Sequence, residues 1–288
     1  MTTSRAASGS RGAVRRNLGT ASALSWGLLI LLLSACRPSA EGRSDSIILA
    51  GSTSVQPFAE LLAEEYARQH PEAPVINIQG GGSTAGVQAA LTHTADIGMS
   101  SRLLKESEEA QGLVTQPIAY DAIAVVAHLS NPVDGLTSEQ VRRIFTGDIR
   151  NWREVGGEDR AIVVITREEG SGTRGAFEEI LMGEAMITDL ALRQDSNGAV
   201  RVIVNSDPAA IGYMSLGIVG DLVKPLALDG VYPTVQAAVG GEYFLVRPFL
   251  FLWLGQLSPP AREFVEFVLF PEAQALLAGE GLIPVPET

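Results

Sequence analysis

The run REEGSGTRGAF, Arg167 to Phe177, sets two arginines, two carboxylates, three glycines and two small hydroxyls ahead of an apolar stretch with helical character. Related turns recur at GSTS (Gly51 to Ser54), GGGST (Gly80 to Thr84) and MSSR (Met99 to Arg102). In each, small hydroxyl residues follow a strand-like segment and open what reads as a helix. Ser and Thr cap helix starts, glycine lets backbone approach closely, and the first amides of a helix lack partners within it. One such turn is an ordinary cap. Four in one α/β chain can converge beyond the carboxyl ends of the strands, where their hydroxyls and amides together suit a small anion rich in acceptors.

Catalytic alternatives lack their residues. GGGSTAG has no lysine at the phosphate-loop position, so nucleotide hydrolysis loses its cation and metal anchor, and no G-x-S-x-G elbow occurs. His70, His93 and His128 stand apart, at a helix end, in a polar turn and after a strand, with no pairing that suits a metal or a general base. Glu178 and Glu179 read as a solvated helix face. The chain reads as a binder rather than an enzyme, and no cofactor is expected.

The elements that must carry these turns alternate along the chain. SIILAG, APVINIQG, ADIGMS, DAIAVVAH, AIVVITR, AAIGYMS and YFLVRPFLFLWL read as strands; VQPFAELLAEEYARQH, TAGVQAALTH, LLKESEEAQG, TSEQVRRIFTG, GAFEEILMG and PAREFVEFVLFPEAQALLAG read as helices. The fold class is α/β.

Residues 1–35 are different. Arg5, Arg11, Arg15 and Arg16 carry their only charges, and the apolar ALSWGLLILLL falls short of the roughly 20 residues of a membrane span, as an export signal does. LSAC, ending at the chain's single cysteine, Cys36, resembles a bacterial lipobox, which predicts lipid on Cys36 and a polar tether over 36–45. One cysteine also excludes an internal disulfide. Without residues 1–35 the net charge moves from −12 to −16, because four arginines and no acids leave. Nucleic acid is therefore not an expected partner.

GSTSVQP, GGGSTAGVQ, ADIGMSSR, DAIAVVAH, IFTGDIRNW, REEGSGTR and PAAIGYMS, in that order, resemble the short form of the PstS family, the phosphate-binding proteins of bacterial phosphate ABC transporters. The likeness runs from about Ile47 to Pro284. It implies a two-domain periplasmic-binding-protein fold of type II-like topology, with the ligand in the inter-domain cleft. Domain I would hold 46–123 and 235–288, and domain II 124–234. It further implies phosphate contacts from Thr53, Ser54 (through its backbone N–H), Ser83, Ser101, Arg167, Ser171, Gly172 and Thr173, with Glu169 holding Arg167 in place. The implied partners are inorganic phosphate and the permease and ATPase subunits of the transporter, reached from an extracytoplasmic position on the membrane.

One position departs from the family's best-known form. Ser101 stands where an aspartate accepts the phosphate's own proton, and a serine supplies no repulsion against fully ionised sulfate. Asp121 is a candidate replacement acceptor and Arg102 a candidate second cation. Another tetrahedral oxyanion, sulfate, molybdate or tungstate, is the alternative ligand. Arg174 reads equally as a ligand contact or as the partner of a nearby acid, and Trp152 as packing.

Overall fold

The computed structural model describes residues 46–286. The expected signal segment, Cys36 and the tether lie outside the described residues. Strand β1 (Ser46–Gly51) alternates buried and half-exposed positions and leads through GSTS into helix α1 (Gln56–Gln69), whose Phe58, Ala59, Leu62 and Tyr66 form its buried face. There follow β2 (Val75–Gly80), α2 (Ser83–Leu91), β3 (Ile97–Ser100), the single turn α3 (Glu106–Glu109) and the long β4 (Leu113–Ala127). Beyond these come β5 (Gly135–Leu136), α4 (Ser138–Thr146), β6 (Val163–Arg167), α5 (Gly172–Phe177), β7 (Leu192–Gln194), α6 (Asn197–Ser206) and β8 (Ala210–Ser215). The chain ends with β9 (Lys224–Pro225), β10 (Ala227–Leu228), α7 (Val235–Val239), β11 (Val246–Leu254), α8 (Pro259–Val268) and α9 (Pro271–Gly279).

The main sheet runs β2-β1-β3-β11-β4-β8-β6-β7. Its outer groups are parallel: β1 with β2 and β3, and β6 with β7 and β8. Antiparallel pairings of β11 with β3 and β4, and of β4 with β8, join them. Strand β4 belongs to both halves, pairing with β11 through Ala122 and with β8 from Ile123 onward.

The apolar contacts divide at the same place. Ile47, Leu49, Phe58, Ile97, Ile118, Phe249, Phe251 and Phe264 share one core. Ile123, Val125, Phe145, Trp152, Phe177, Ile211 and Tyr213 share another, and Tyr243 and Leu245 join it, with Ala237 and Ala238 packed on its edge. Residues 235–245 thus pack with the second half, whereas the sequence placed them in the first; the return crossing comes at β11 itself. Trp152 is buried, and its indole N–H donates to the Ala209 carbonyl at 2.9 Å, which is the packing role expected of it.

Three of the four hydroxyl turns lead into helices. The exception is MSSR: after β3 the chain bends, and helix begins only at Glu106. The reason is local, because Ser100 Oγ donates to the Arg102 carbonyl and accepts the Arg102 N–H, closing a turn in place of a helix start.

Candidate anion-binding site

Strand ends from both halves bring their hydroxyl residues into one buried cluster. From the first half, GSTS follows β1, Ser83 opens α2, and Ser101 follows β3. Gly51 lets these approach: its φ is +138°, and a Cβ there would lie 2.3 Å from the Met99 carbonyl oxygen and 2.8 Å from Gly86 Cα. From the second half, Arg167 ends β6 and Ser171 to Thr173 open α5, whose Phe177 stacks on Tyr213 with ring centroids 4.0 Å apart.

The two sides touch directly. Ser54 Oγ and Thr173 Oγ1 are 2.8 Å apart, and the Thr84 N–H donates to the Gly170 carbonyl at 3.1 Å. A Cβ on Gly172 would fall 2.1 Å from Ser83 Oγ and 2.6 Å from Ser101 Oγ, so a larger residue here must displace those serines while the halves are closed. Ser52, which the sequence reading did not single out, organises the first half: its Oγ accepts the Ser54 and Val55 amides at 3.2 and 3.4 Å and donates to Ser101 Oγ at 2.9 Å. The Ser54 amide expected to face an anion is therefore occupied, and Ser54 presents its hydroxyl. Ser101 N–H donates to Ser83 Oγ at 3.0 Å. Ser171 Oγ caps α5 by accepting the Arg174 N–H at 3.2 Å, which leaves its own proton to give.

Arg167 is almost wholly buried. Its Nη2 donates to Thr53 Oγ1 of the first half at 3.2 Å and to the Asp195 carbonyl at 3.1 Å. Nε and Nη2 also meet Glu168 at 3.0 and 2.9 Å. The acid on Arg167 is thus Glu168 and not Glu169, which is exposed; the strand ends at Arg167, so the alternation of strand faces does not govern the two glutamates in the turn that follows. Arg167 Nη1 has no hydrogen-bond partner among the described residues. A buried guanidinium donor without an acceptor is costly, and an anion oxygen satisfies it.

A second arginine enters from a distant strand. Arg247, on β11 directly opposite Asp121 on β4, donates to Asp121 Oδ2 from Nε at 3.0 Å and Nη2 at 2.9 Å. It also donates to Ser101 Oγ from Nη1 and to Ser54 Oγ from Nη2, both at 3.2 Å. Asn197, opening α6, donates from Nδ2 to Ser54 Oγ at 2.8 Å. Burial pushes the Asp121 carboxyl above its ordinary range, with Arg247 and Ser215 opposing; the same burial lowers Arg247, with Asp121 opposing.

Asp121 therefore does not take the missing acceptor's place, since its oxygens go to Arg247 and to Ser215 Oγ. Nor does Arg102 act as the second cation: Glu108 meets its two terminal nitrogens at 2.7 and 2.9 Å. Arg174 takes its local reading, held by Glu178 at 2.7 Å and by the Arg167 carbonyl at 3.1 Å. Arg247 and Asp121 carried one usable sequence signal, a lone charge inside each of two apolar strands, because such charges are rarely buried unpaired. Asn197 carried none beyond its place after Ser196.

The chain is similar to known proteins. Residues 37–272 match the family model described as a PBP superfamily domain. The phosphate-binding protein PstS of Bacillus subtilis is 30% identical over 251 residues, covering 86% of this chain and 83% of the relative. The chain belongs to the PstS family. Among solved structures, a Clostridium perfringens substrate-binding protein with bound phosphate is 40% identical, with a TM-score of 0.82, covering 84% of this chain and 100% of that one. An ABC-type phosphate transport receptor from Vibrio cholerae is 39% identical, with a TM-score of 0.69, covering 83% and 100%. The fold is accordingly the two-domain periplasmic-binding-protein fold, and the PstS relatives are solute-binding proteins, not enzymes. Among the described residues, no helix is long and apolar enough to cross a membrane.

Proposed function

We propose that this PstS-family chain binds inorganic phosphate between the two halves of its sheet and delivers it to the permease of a phosphate ABC transporter. Lipid on Cys36 holds it outside the cytoplasmic membrane. Thr53, Ser54, Ser83 and Ser101 contact the anion from the first half. Arg167, Ser171, Gly172 and Thr173 contact it from the second. The single observation that carries this reading is Arg167 Nη1, a buried cationic donor without a partner, beside hydroxyls gathered from both halves.

The contacts seen between the halves support a closing mechanism. Ser54 with Thr173, Thr53 with Arg167 and Ser83 against Gly172 are donor groups meeting one another. A tetrahedral oxyanion replaces these mutual contacts with its four oxygens and so favours the closed arrangement, because it reaches donors of both halves only there. Closure then gives the transporter a surface that differs between loaded and empty protein. The negative overall charge opposes anion approach, so local donors must supply the attraction.

Calorimetric titration of the purified protein with phosphate tests the binding step: saturable heat at one site is expected, and none would refute it. Fractionation tests the anchor separately. Cys36→Ala should move the protein from the membrane fraction to the soluble fraction; equal partitioning with and without the cysteine removes the lipid from the account.

A further inference from the structure

The hydroxyls of Ser54 and Ser101 have their proton directions fixed by their neighbours. Ser54 Oγ accepts from Asn197 Nδ2 at 2.8 Å and from Arg247 Nη2 at 3.2 Å. The Asn197 amide cannot be turned the other way, because its Oδ1 accepts the Ser215 N–H at 3.3 Å. Both acceptor sites of Ser54 are filled, so its proton points outward, now toward Thr173. Ser101 Oγ is in the same position: it accepts from Ser52 Oγ at 2.9 Å and from Arg247 Nη1 at 3.2 Å. Its remaining near neighbour is Ser83 Oγ at 3.4 Å, which itself accepts the Ser101 N–H. One residue, Arg247, takes a lone pair from each hydroxyl.

Resting on the phosphate reading, we infer that Arg247 is a positioning residue that sets the charge state of the ligand. By making Ser54 and Ser101 obligate donors, it gives the cleft a donor lining that accepts a tetrahedral dianion, sulfate as well as hydrogen phosphate, in preference to a monoanion. An O–H on a ligand oxygen placed against either serine sets two donors face to face, which leaves one proton without an acceptor. Dihydrogen phosphate brings two such groups, hydrogen phosphate one and sulfate none. Ser101 standing where the family's best-known form has an aspartate removes the carboxylate that would have welcomed the proton and repelled sulfate. Asp121, the carboxylate nearest Arg247, is turned to Arg247 and Ser215 instead.

Sulfate does not titrate in the range of interest, so it reports the protein's own groups while phosphate reports those and the ligand's ionisation. The charged groups around the cluster are Asp121 and Arg247, Glu168 and Arg167, Glu178 and Arg174, and Glu108 and Arg102, with the Tyr213 hydroxyl behind Arg167. Calorimetry with both anions at about pH 5.5 and about pH 8 spans the second ionisation of phosphate. The phosphate affinity, taken relative to sulfate, should rise about tenfold or more with pH, and sulfate should displace bound phosphate at less than about hundredfold excess near pH 8. Ser101→Asp should abolish sulfate competition while phosphate still binds. Arg247→Lys, which keeps the charge but cannot reach Asp121, Ser54 and Ser101 together, should reduce the pH dependence of the ratio.

A flat or falling ratio in the wild-type protein overturns the inference and leaves the phosphate reading standing, as does sulfate that never competes. A folded Arg247→Lys with an unchanged ratio and slope also overturns it, and the wild-type and Ser101→Asp titrations decide the matter if that variant does not fold. Sulfate binding without phosphate binding sinks the phosphate reading but keeps the donor lining. Binding of neither anion overturns both.

Discussion

Two arginine–carboxylate pairs border the same cluster and differ in how completely they are satisfied. Arg247 and Asp121 face each other across neighbouring strands, both almost fully enclosed, and the guanidinium has partners on all three nitrogens. Arg167 and Glu168 are neighbours at a strand end, with the carboxylate one third exposed and one guanidinium nitrogen without a partner. A saturated pair can only hold its surroundings in place, whereas an unsaturated one has a donor to offer a ligand. The fold explains the division. Asp121 lies in β4 just before the strand passes from β11 to β8, so a pair there ties both crossing strands together. Arg167 lies where β6 ends and the chain is free to face a guest.

The largest expected effect follows from breaking the saturated pair. Asp121→Ala leaves the buried Arg247 charge with hydroxyls and one carbonyl as its only partners, which costs about 3–5 kcal/mol of folding stability. Urea unfolding with an unchanged denaturant slope measures it, and a loss under about 1 kcal/mol would show that water reaches Arg247. Arg167→Ala is the contrasting experiment. Phosphate affinity should fall by about 1.5–3 kcal/mol, the scale of a charged hydrogen bond, while stability falls less than in Asp121→Ala because the freed Glu168 reaches solvent. Stability lost without affinity would make both pairs structural and end the contrast.

Much of this site was legible because strand ends followed by small hydroxyl residues carry their own physics. Thr53, Ser54, Ser83, Arg167 and Thr173 come together as their turns suggest, and Ser101 joins them although its turn opens no helix. What escaped depended on pairing across distance. Arg247 meets Ser101 only because β11 inserts between β3 and β4, a sheet order that no local pattern states. Glu168 and Glu169 are chemically the same, and the backbone direction after Arg167 alone decides which one turns inward. The placement of 235–245 failed for a similar reason: Tyr243 donates its hydroxyl to the Ile123 carbonyl at 2.7 Å and so draws the segment into the second half before the chain returns.

A smaller effect sharpens the role of closure. Gly172→Ala puts a methyl group against Ser83 Oγ and Ser101 Oγ, but only while the halves are together. The serine hydroxyls can rotate away but Ser83 Cβ, 2.9 Å from the added methyl, cannot, so the loss should be about 1–2 kcal/mol of phosphate affinity with little change in unfolding. Unchanged affinity would mean that the loaded protein holds the halves further apart than the closed arrangement described above.

The subtlest difference is the sign of a pH dependence, and it extends the contrast to a third pair, Arg102 with Glu108. Burial pushes the Glu108 carboxyl up, but the hydrogen bonds from Arg102 and the Lys105 amide, with their charges, outweigh it and hold the group below its usual value of 4.5. A lowered folded-state value means that the unfolded chain binds the proton more readily. The stabilisation is therefore present above about 4.5 and is lost as pH falls through the lowered value. For Asp121 burial wins and the folded-state value is raised above 3.8, so its contribution is greatest in acid and declines as pH rises from there through the raised value. Unfolding free energies of Glu108→Gln and Asp121→Asn, each subtracted from the wild-type curve between about pH 3 and pH 8, should slope in opposite directions. Parallel slopes would place Asp121 among ordinary paired carboxylates, and the cost of enclosing its charge beside the hydroxyl cluster would no longer distinguish it from Glu108.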